Sequence, residues 1–230
     1  MASSRRFFDL YQYLAPVVLF PLSYWLWFRV VGDHRTVLEI VSIPVVAFYV
    51  IPALGTNKLG LWEFNTRHRI GGFRIQHGFV FGSATSLISA LALGYGQEVP
   101  LSAMSLLRAG LFLGALLGIV NWWYDIVAIK AEVIRVYTRA AFEGRGAEAI
   151  ATEYAPVYFG TFGFLYGLYL AVVQSGWFAQ ATLPVVAGVY VLALGAVLVG
   201  PVLAFVCLSL ATTGKSGLQS YRDATYRDAA

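Results

Sequence analysis

The sequence predicts an all-α polytopic membrane protein, built as a bundle of about six transmembrane helices. Three observations support this class: 59% of the 230 residues are hydrophobic, only 12% are charged, and the mean hydropathy is +0.69. A soluble domain carries roughly a quarter charged residues, and one core could not bury this much apolar surface. The composition therefore excludes an ordinary soluble protein.

Six apolar segments are separated by polar connections, and each is close to or above the roughly 20 residues that a membrane-spanning helix needs. They cover residues 14–31, 37–55, 75–96, 101–126, 155–176 and 181–212. The sequence thus predicts a six-helix transmembrane domain over residues 1–213, followed by a mobile cytoplasmic tail over residues 214–230. Gly200 and Pro201 predict a kink or a strong tilt in the long sixth segment.

The distribution of Lys and Arg predicts the orientation of the bundle. Basic residues concentrate at the N-terminus, in the loops after the second and fourth segments, and in the tail. Because cytoplasmic loops are enriched in Lys and Arg, we expect both termini to be cytoplasmic and the protein to lie in the plasma (inner) membrane. The basic residues do not gather in one patch, which argues against a nucleic-acid partner.

The fourth segment carries polar residues on a face that is predicted to point into the bundle. With about 100° between successive residues of a helix, Gly110, Gly114, Asn121 and Asp125 share one face, and Gly118 lies at its margin. Glycines at this spacing let helices approach closely in lipid. The polar residues that follow are read as a cytoplasmic extension of the same helix, ending near residues 144–146.

Asp125 and His77 are the candidate catalytic residues. An ionisable group in a membrane segment is costly, so it is usually paired and often functional. His77 and Arg74 enter the membrane from the same side as Asp125, and each is a predicted partner for it. A histidine beside a carboxylate could act as a general base. The alternatives are an Asp125 solvated among lipid headgroups and a His77 that donates to a backbone carbonyl.

Further polar residues near the same boundary complete a predicted binding site. Basic side chains of the loop after the second segment could recognise phosphate, although the positive-inside rule explains them without a ligand. The predicted binding residues are Asn121, Asp125, Gln76, His77, Glu63, Arg67, Arg69 and Arg74. No His-x-x-His or His-Glu-x-x-His spacing supports a metal site, and the sequence identifies no cofactor.

Three functions are consistent with these features. The leading hypothesis is a site at the cytoplasmic membrane boundary that binds or modifies a lipid-like or isoprenoid-like amphiphile. The first alternative is a non-catalytic subunit or assembly factor of a larger membrane complex, docking through its glycine-lined helix faces. The second alternative is a small-solute carrier or channel. Segments three, five and six carry no charge at mid-depth, and this disfavours a carrier or channel. No triad or carboxylate pair identifies a reaction, so whether the protein is an enzyme stays open.

Overall fold

Long helices dominate the fold, which we describe from a computed structural model for residues 2–94 and 100–222, with side chains from residue 5 onward. The helices are α1 (Ala2–Leu14), α2 (Phe20–Val31), α3 (His34–Pro52), α4 (His77–Leu93), α5 (Ala103–Lys130), α6 (Arg139–Phe142), α7 (Ala147–Gln174), α8 (Trp177–Gln180) and α9 (Leu183–Thr213). The end of the predicted third span, residues 95–96, and residues 223–230 of the predicted tail lie outside the described residues.

Two of the spans contain a turn of wider, π-helical geometry. Ala15–Leu19 joins α1 to α2, and Ala53–Lys58 extends α3. Pro16 lies at the start of the first turn, and Pro52 directly precedes the second. Proline cannot donate the backbone hydrogen bond that a regular helix requires at its position, and wider turns absorb such interruptions.

Among the described residues, five helical segments are long and apolar enough to cross a membrane. They are Arg5–Val31, His34–Lys58, Ala103–Lys130, Ala147–Gln174 and Leu183–Thr213. These helices confirm the predicted class, a helical multi-pass membrane protein. The remaining predicted span corresponds to α4, which is apolar but only 17 residues long.

Helices α5 and α7 pack through glycines, in agreement with the prediction that the glycine face of the fourth segment points inward. A Cβ atom added to Gly114 would lie 2.8 Å from the carbonyl oxygen of Gly160. One added to Gly163 would lie 2.6 Å from the carbonyl oxygen of Leu113. Any side chain at these positions would push the two backbones apart, so the close approach of the helices depends on glycine.

Short strands lie at the end of the bundle where α5 ends and α7 begins. They are β1 (Trp62–Phe64), β2 (Arg69–Ile70), β3 (Phe73–Arg74) and β4 (Ile134–Val136). Strand β1 pairs antiparallel with β4, which places Glu63 opposite Arg135, and β2 pairs with β3. We call this side of the molecule the strand end. Phe64 and Phe73 pack beneath the strands in a small apolar core of their own.

The polar residues after α5 do not continue the helix, so the prediction of a long helical extension is wrong. The helix ends at Lys130, and Glu132 adopts a left-handed conformation with φ of 55°. The side-chain amide of Asn65 donates to the Glu132 carbonyl oxygen at 3.2 Å, and the Asn65 backbone N–H donates to the carbonyl oxygen of Val133 at 2.9 Å. This reversal directs the chain into β4.

Candidate functional site

A cavity of about 210 Å³ lies at the strand end, where α3, α4, α5, α7 and α9 converge beside β1 and β4. Its wall is almost entirely apolar. Aromatic side chains contribute much of that wall, among them Phe48, Trp62, Phe81, Phe159 and Phe205. An apolar wall of this kind, with few polar groups, is typical of a site for a hydrocarbon or aromatic ligand.

A few polar side chains interrupt the apolar wall, and Asp125 is the carboxylate among them. Asp125 is only 6% exposed, and its Oδ2 accepts a hydrogen bond from Tyr154 Oη at 2.8 Å. No hydrogen bond from the described residues reaches Oδ1, so this oxygen is available to a donor inside the cavity. His77 and Tyr158 also line the cavity. Two residues predicted from separate segments, Asp125 and His77, thus share one wall.

The predicted pairing of Asp125 with His77 or Arg74 is not found among the described residues. The hydrogen-bond partner is Tyr154 of α7, and no ion pair joins Asp125 to Arg74. The reason lies in the packing of the helices. The glycine contacts hold α7 against α5, which carries Asp125, whereas α4, which carries His77, packs mainly against α2 and α3.

Asn121 and Gln76, two further predicted binding residues, lie outside the cavity wall. Asn121 Nδ2 donates to the carbonyl oxygen of Leu117 in its own helix at 2.9 Å. Gln76 Nε2 makes a long contact of 3.4 Å with the carbonyl oxygen of Gln12. These hydrogen bonds account for both amides without a ligand.

Glu63 is the centre of a charge cluster at the strand end and does not line the cavity. Its Oε1 accepts a hydrogen bond from Tyr137 Oη at 2.8 Å, and its Oε2 accepts one from Arg222 Nη2 at 2.9 Å. Arg69 and Arg135 lie at 4.0 and 3.9 Å from the same carboxylate. The predicted residues Glu63 and Arg69 are therefore brought together as an ion pair.

Residues 214–222, which we call the C-terminal strap, close one side of the cavity. Gly217 and Leu218 belong to the cavity wall. Ser220 Oγ donates to the carbonyl oxygen of Gly60 at 2.7 Å, and beyond it Arg222 reaches Glu63. Sequence analysis missed this part of the site because it treated the tail as a separate segment.

A local signal for the strap is present in the sequence, in the two glycines that follow α9. Gly214 and Gly217 adopt φ values of 69° and 74°, a conformation that is strained for other residues. A Cβ atom on Gly217 would also lie 2.7 Å from the Phe205 ring. Two such glycines allow the chain to turn back beneath the bundle.

The two remaining predicted residues, Arg67 and Arg74, occupy opposite environments. Arg67 is exposed to solvent, whereas Arg74 is buried against the Phe64 ring, with 5.0 Å between Cζ and the ring centroid. Neither lines the cavity. Within residues 2–94 and 100–222, no three His, Cys, Asp or Glu side chains are grouped as a metal site requires.

The fold and the site together define a helical membrane protein with an apolar cavity and a buried carboxylate in its wall. Comparisons of the chain with protein-family models, with curated proteins and with solved structures found no match. Function is therefore argued from the site itself.

Proposed function

We propose that this protein binds a lipid-like or isoprenoid-like amphiphile whose apolar part fills the cavity and whose polar group donates a hydrogen bond to Asp125. The observation that carries this proposal is the position of one buried carboxylate, already ordered by Tyr154, in an otherwise apolar wall. The ligand class is thus a hydrocarbon or prenyl chain bearing a hydroxyl or an amine. In this proposal the strand end faces the cytoplasm, the bundle has six spans, and both termini are cytoplasmic.

The energetics favour an amphiphile over a small polar solute. Removing apolar surface from water contributes about 25 cal/mol per Å², so a ligand burying roughly 200 Å² of apolar surface gains about 5 kcal/mol. Asp125 supplies selectivity, because a ligand without a donor would leave a buried acceptor unpaired. These contacts support binding, and they define no particular reaction.

One of the glycine-lined surfaces that the subunit hypothesis predicts for docking a partner protein is occupied within the chain itself. Gly110 and Gly114 face α7 of the same chain and are not available to a partner protein. Gly188 and Gly195 of α9 have open space above them, so a partner that docks through glycines would use α9.

The proposal is tested by native mass spectrometry of the protein extracted gently from its own membrane. We expect the wild type to carry one amphiphile per chain. Asp125→Asn should bind the amphiphile at least about tenfold more weakly. This factor corresponds to the loss of roughly 1.4 kcal/mol for a hydrogen bond to a charged group. Asn121→Ala is the matched control, because Asn121 lies one turn away on α5 and bonds to its own helix.

Two results would contradict the proposal. One is an unchanged ligand content in Asp125→Asn. The other is a wild-type protein that carries a stoichiometric partner protein and no small molecule, which would favour the subunit hypothesis.

A further inference from the structure

Arg74 is a buried cation with no anionic partner among the described residues. Arg74 is only 2% exposed, and its Nε and Nη1 atoms make no hydrogen bond. The ion pairs of the described residues all involve other cations. Arginine does not lose its proton in proteins, so the positive charge persists. An unpaired charge in the interior is strongly unfavourable, and the Phe64 ring offsets only part of this cost.

Two polar atoms close to Arg74 are unsatisfied as well. Tyr124 Oη is buried, and the Arg74 guanidinium lies close enough for a weak hydrogen bond with it, but the contact falls outside regular hydrogen-bond geometry. His77 Nδ1 is also buried without a partner, and the His77 ring packs against Phe64 with 4.7 Å between centroids. Buried polar groups are nearly always hydrogen-bonded in native proteins. Three unsatisfied groups in one place therefore indicate a missing ligand.

We propose that Arg74 and Tyr124 form a binding site for the phosphate of a membrane lipid headgroup. A phosphate can accept two parallel N–H hydrogen bonds from the planar guanidinium, which is the geometry that arginine provides best. The Tyr124 hydroxyl supplies a third donor. A bound phosphate would neutralise the buried charge and satisfy the orphaned donors together. Arg74 and Tyr124 do not line the cavity, although Phe64 and His77 beside them do.

The surroundings favour a lipid over a free phosphate ion as the source. Ile75, the neighbour of Arg74, is 51% exposed, and Phe7 and Leu10 of α1 are 59% and 60% exposed. These apolar side chains suit contact with acyl chains. Arg69 is exposed on the same loop, and its positive charge attracts anionic headgroups to this side of the protein.

Helix α1 covers the site and is the element that must move to admit a headgroup. Phe8 packs edge-to-face on Tyr124 with 5.2 Å between ring centroids, and Tyr11 lies 6.5 Å from the same ring. The π-helical turn Ala15–Leu19 separates α1 from α2, and turns of this kind are frequent at functional sites. Displacement of α1 about this turn would open the Arg74 site toward the lipid.

The test uses Arg74→Met, which keeps an unbranched apolar stem and removes the guanidinium with its charge. Delipidated full-length protein in a neutral detergent is heated with phosphatidylglycerol, with inorganic phosphate, or with no addition. We expect phosphatidylglycerol at ten times its Kd to raise the midpoint of thermal unfolding of the wild type by about 3–6 °C. Arg74→Met should show no such rise, and Tyr124→Phe a smaller one.

Two control variants separate this site from general charge effects and from the cavity. Arg67→Met removes an exposed cation of the same loop and should keep the full response to phosphatidylglycerol. Asp125→Asn should keep it too, so failure of the proposed cavity function leaves this result intact. If Arg74→Met does not fold, Arg74→Lys replaces it: this variant keeps the charge but loses the planar fork, and we expect its lipid affinity to fall about tenfold.

An equal rise of the midpoint with inorganic phosphate would overturn the lipid assignment in favour of a free oxyanion. If the wild type responds to neither addition and Arg74→Met is less stable than the wild type, the site itself is refuted. Arg74 would then be a cation retained for its contact with the Phe64 ring.

Discussion

At the scale of single residues, the polar groups of the interior differ in how completely they are satisfied. Asp125 has a donor in Tyr154, and Glu63 is surrounded by donors. Arg74 Nε and Nη1 and His77 Nδ1, by contrast, have no hydrogen-bond partner among the described residues. Native proteins rarely leave buried polar groups unpaired, so this contrast supports the ligand that we propose for Arg74.

Asp33 allows a prediction about stability and pH. It caps the N-terminus of α3, where its Oδ2 accepts hydrogen bonds from the Thr36 hydroxyl at 2.7 Å and from the Thr36 backbone N–H at 2.8 Å. These bonds, the hydroxyl first, lower the pKa of Asp33 below its usual value. The stabilisation is therefore complete above about pH 5 and is lost as the pH falls through the lowered pKa.

We expect Asp33→Ala to reduce the free energy of unfolding by about 1 kcal/mol at pH 7, as other N-cap replacements do. Asp33→Asn is the control, since asparagine also caps helices. The measurement is denaturant unfolding of wild type and both variants in detergent across the acidic range. A deficit in Asp33→Ala that stays constant down to about pH 2 would refute the assigned role of the carboxylate.

At the scale of elements, the α5–α7 pair depends on glycines, and this dependence is testable. We expect Gly114→Leu to lower the free energy of unfolding by about 1–3 kcal/mol, because the new side chain would meet the α7 backbone. The same substitution at Gly188, which has open space around it on α9, is the matched control and should not destabilise the protein, because leucine has a higher helix propensity than glycine. Comparable losses in the two variants would exclude close packing as the role of Gly114.

The sequence was informative about these helices because their signals are local. Hydrophobic length identified the spanning segments, and the glycine spacing identified the inward face of α5. The same reasoning failed beyond Lys130, where the helical face was extended through residues that form β4. The alternation Ile134, Arg135, Val136 has the period of a strand, and its β-branched residues favour one. A helical interpretation overlooked that change of period.

At the scale of the whole molecule, the C-terminal strap forms part of the cavity wall. Its far end is held by Arg222, which bonds to Glu63 and stacks 5.3 Å from the Tyr137 ring centroid. If Arg222 moves away from Glu63, this carboxylate still has Arg69, Arg135 and the Tyr137 hydroxyl as partners. Release of the strap therefore leaves no buried carboxylate unpaired, although it loses the Ser220 hydrogen bond and the stacking of Tyr221 on Phe142.

We expect Arg222→Ala to open the strap more often. In a Cys207→Ser background, which removes the only native cysteine, Leu218→Cys reports on opening through its rate of labelling by a maleimide. Loss of the ion pair should raise that rate about three- to tenfold, the equivalent of roughly 0.7–1.4 kcal/mol. High salt should also accelerate labelling when Arg222 is present, because ions screen the attraction.

Lys215→Ala is the control for this measurement, since Lys215 is an exposed cation of the strap without an ion pair in the described residues. Equal labelling rates in the wild type, Lys215→Ala and Arg222→Ala would show that Arg222 does not hold the strap.

The cavity as a whole could not be predicted from the sequence, although two of its polar residues could. Asp125 and His77 were found because a charge or an imidazole at the edge of an apolar segment is conspicuous. Tyr154 as the partner of Asp125 depends on the rotation of α7 against α5, and the strap depends on contacts between residues far apart in the chain. Neither leaves a periodic pattern in the sequence.

The position of the strap in the chain also bears on how the cavity is filled. Gly217 and Leu218 are translated after the five long apolar helices of the described residues, so these helices exist while this wall is still missing. The amphiphile that we propose could enter from the surrounding leaflet at that stage, before the strap folds back. Ligand acquired in this way during biosynthesis would not have to pass through the finished wall.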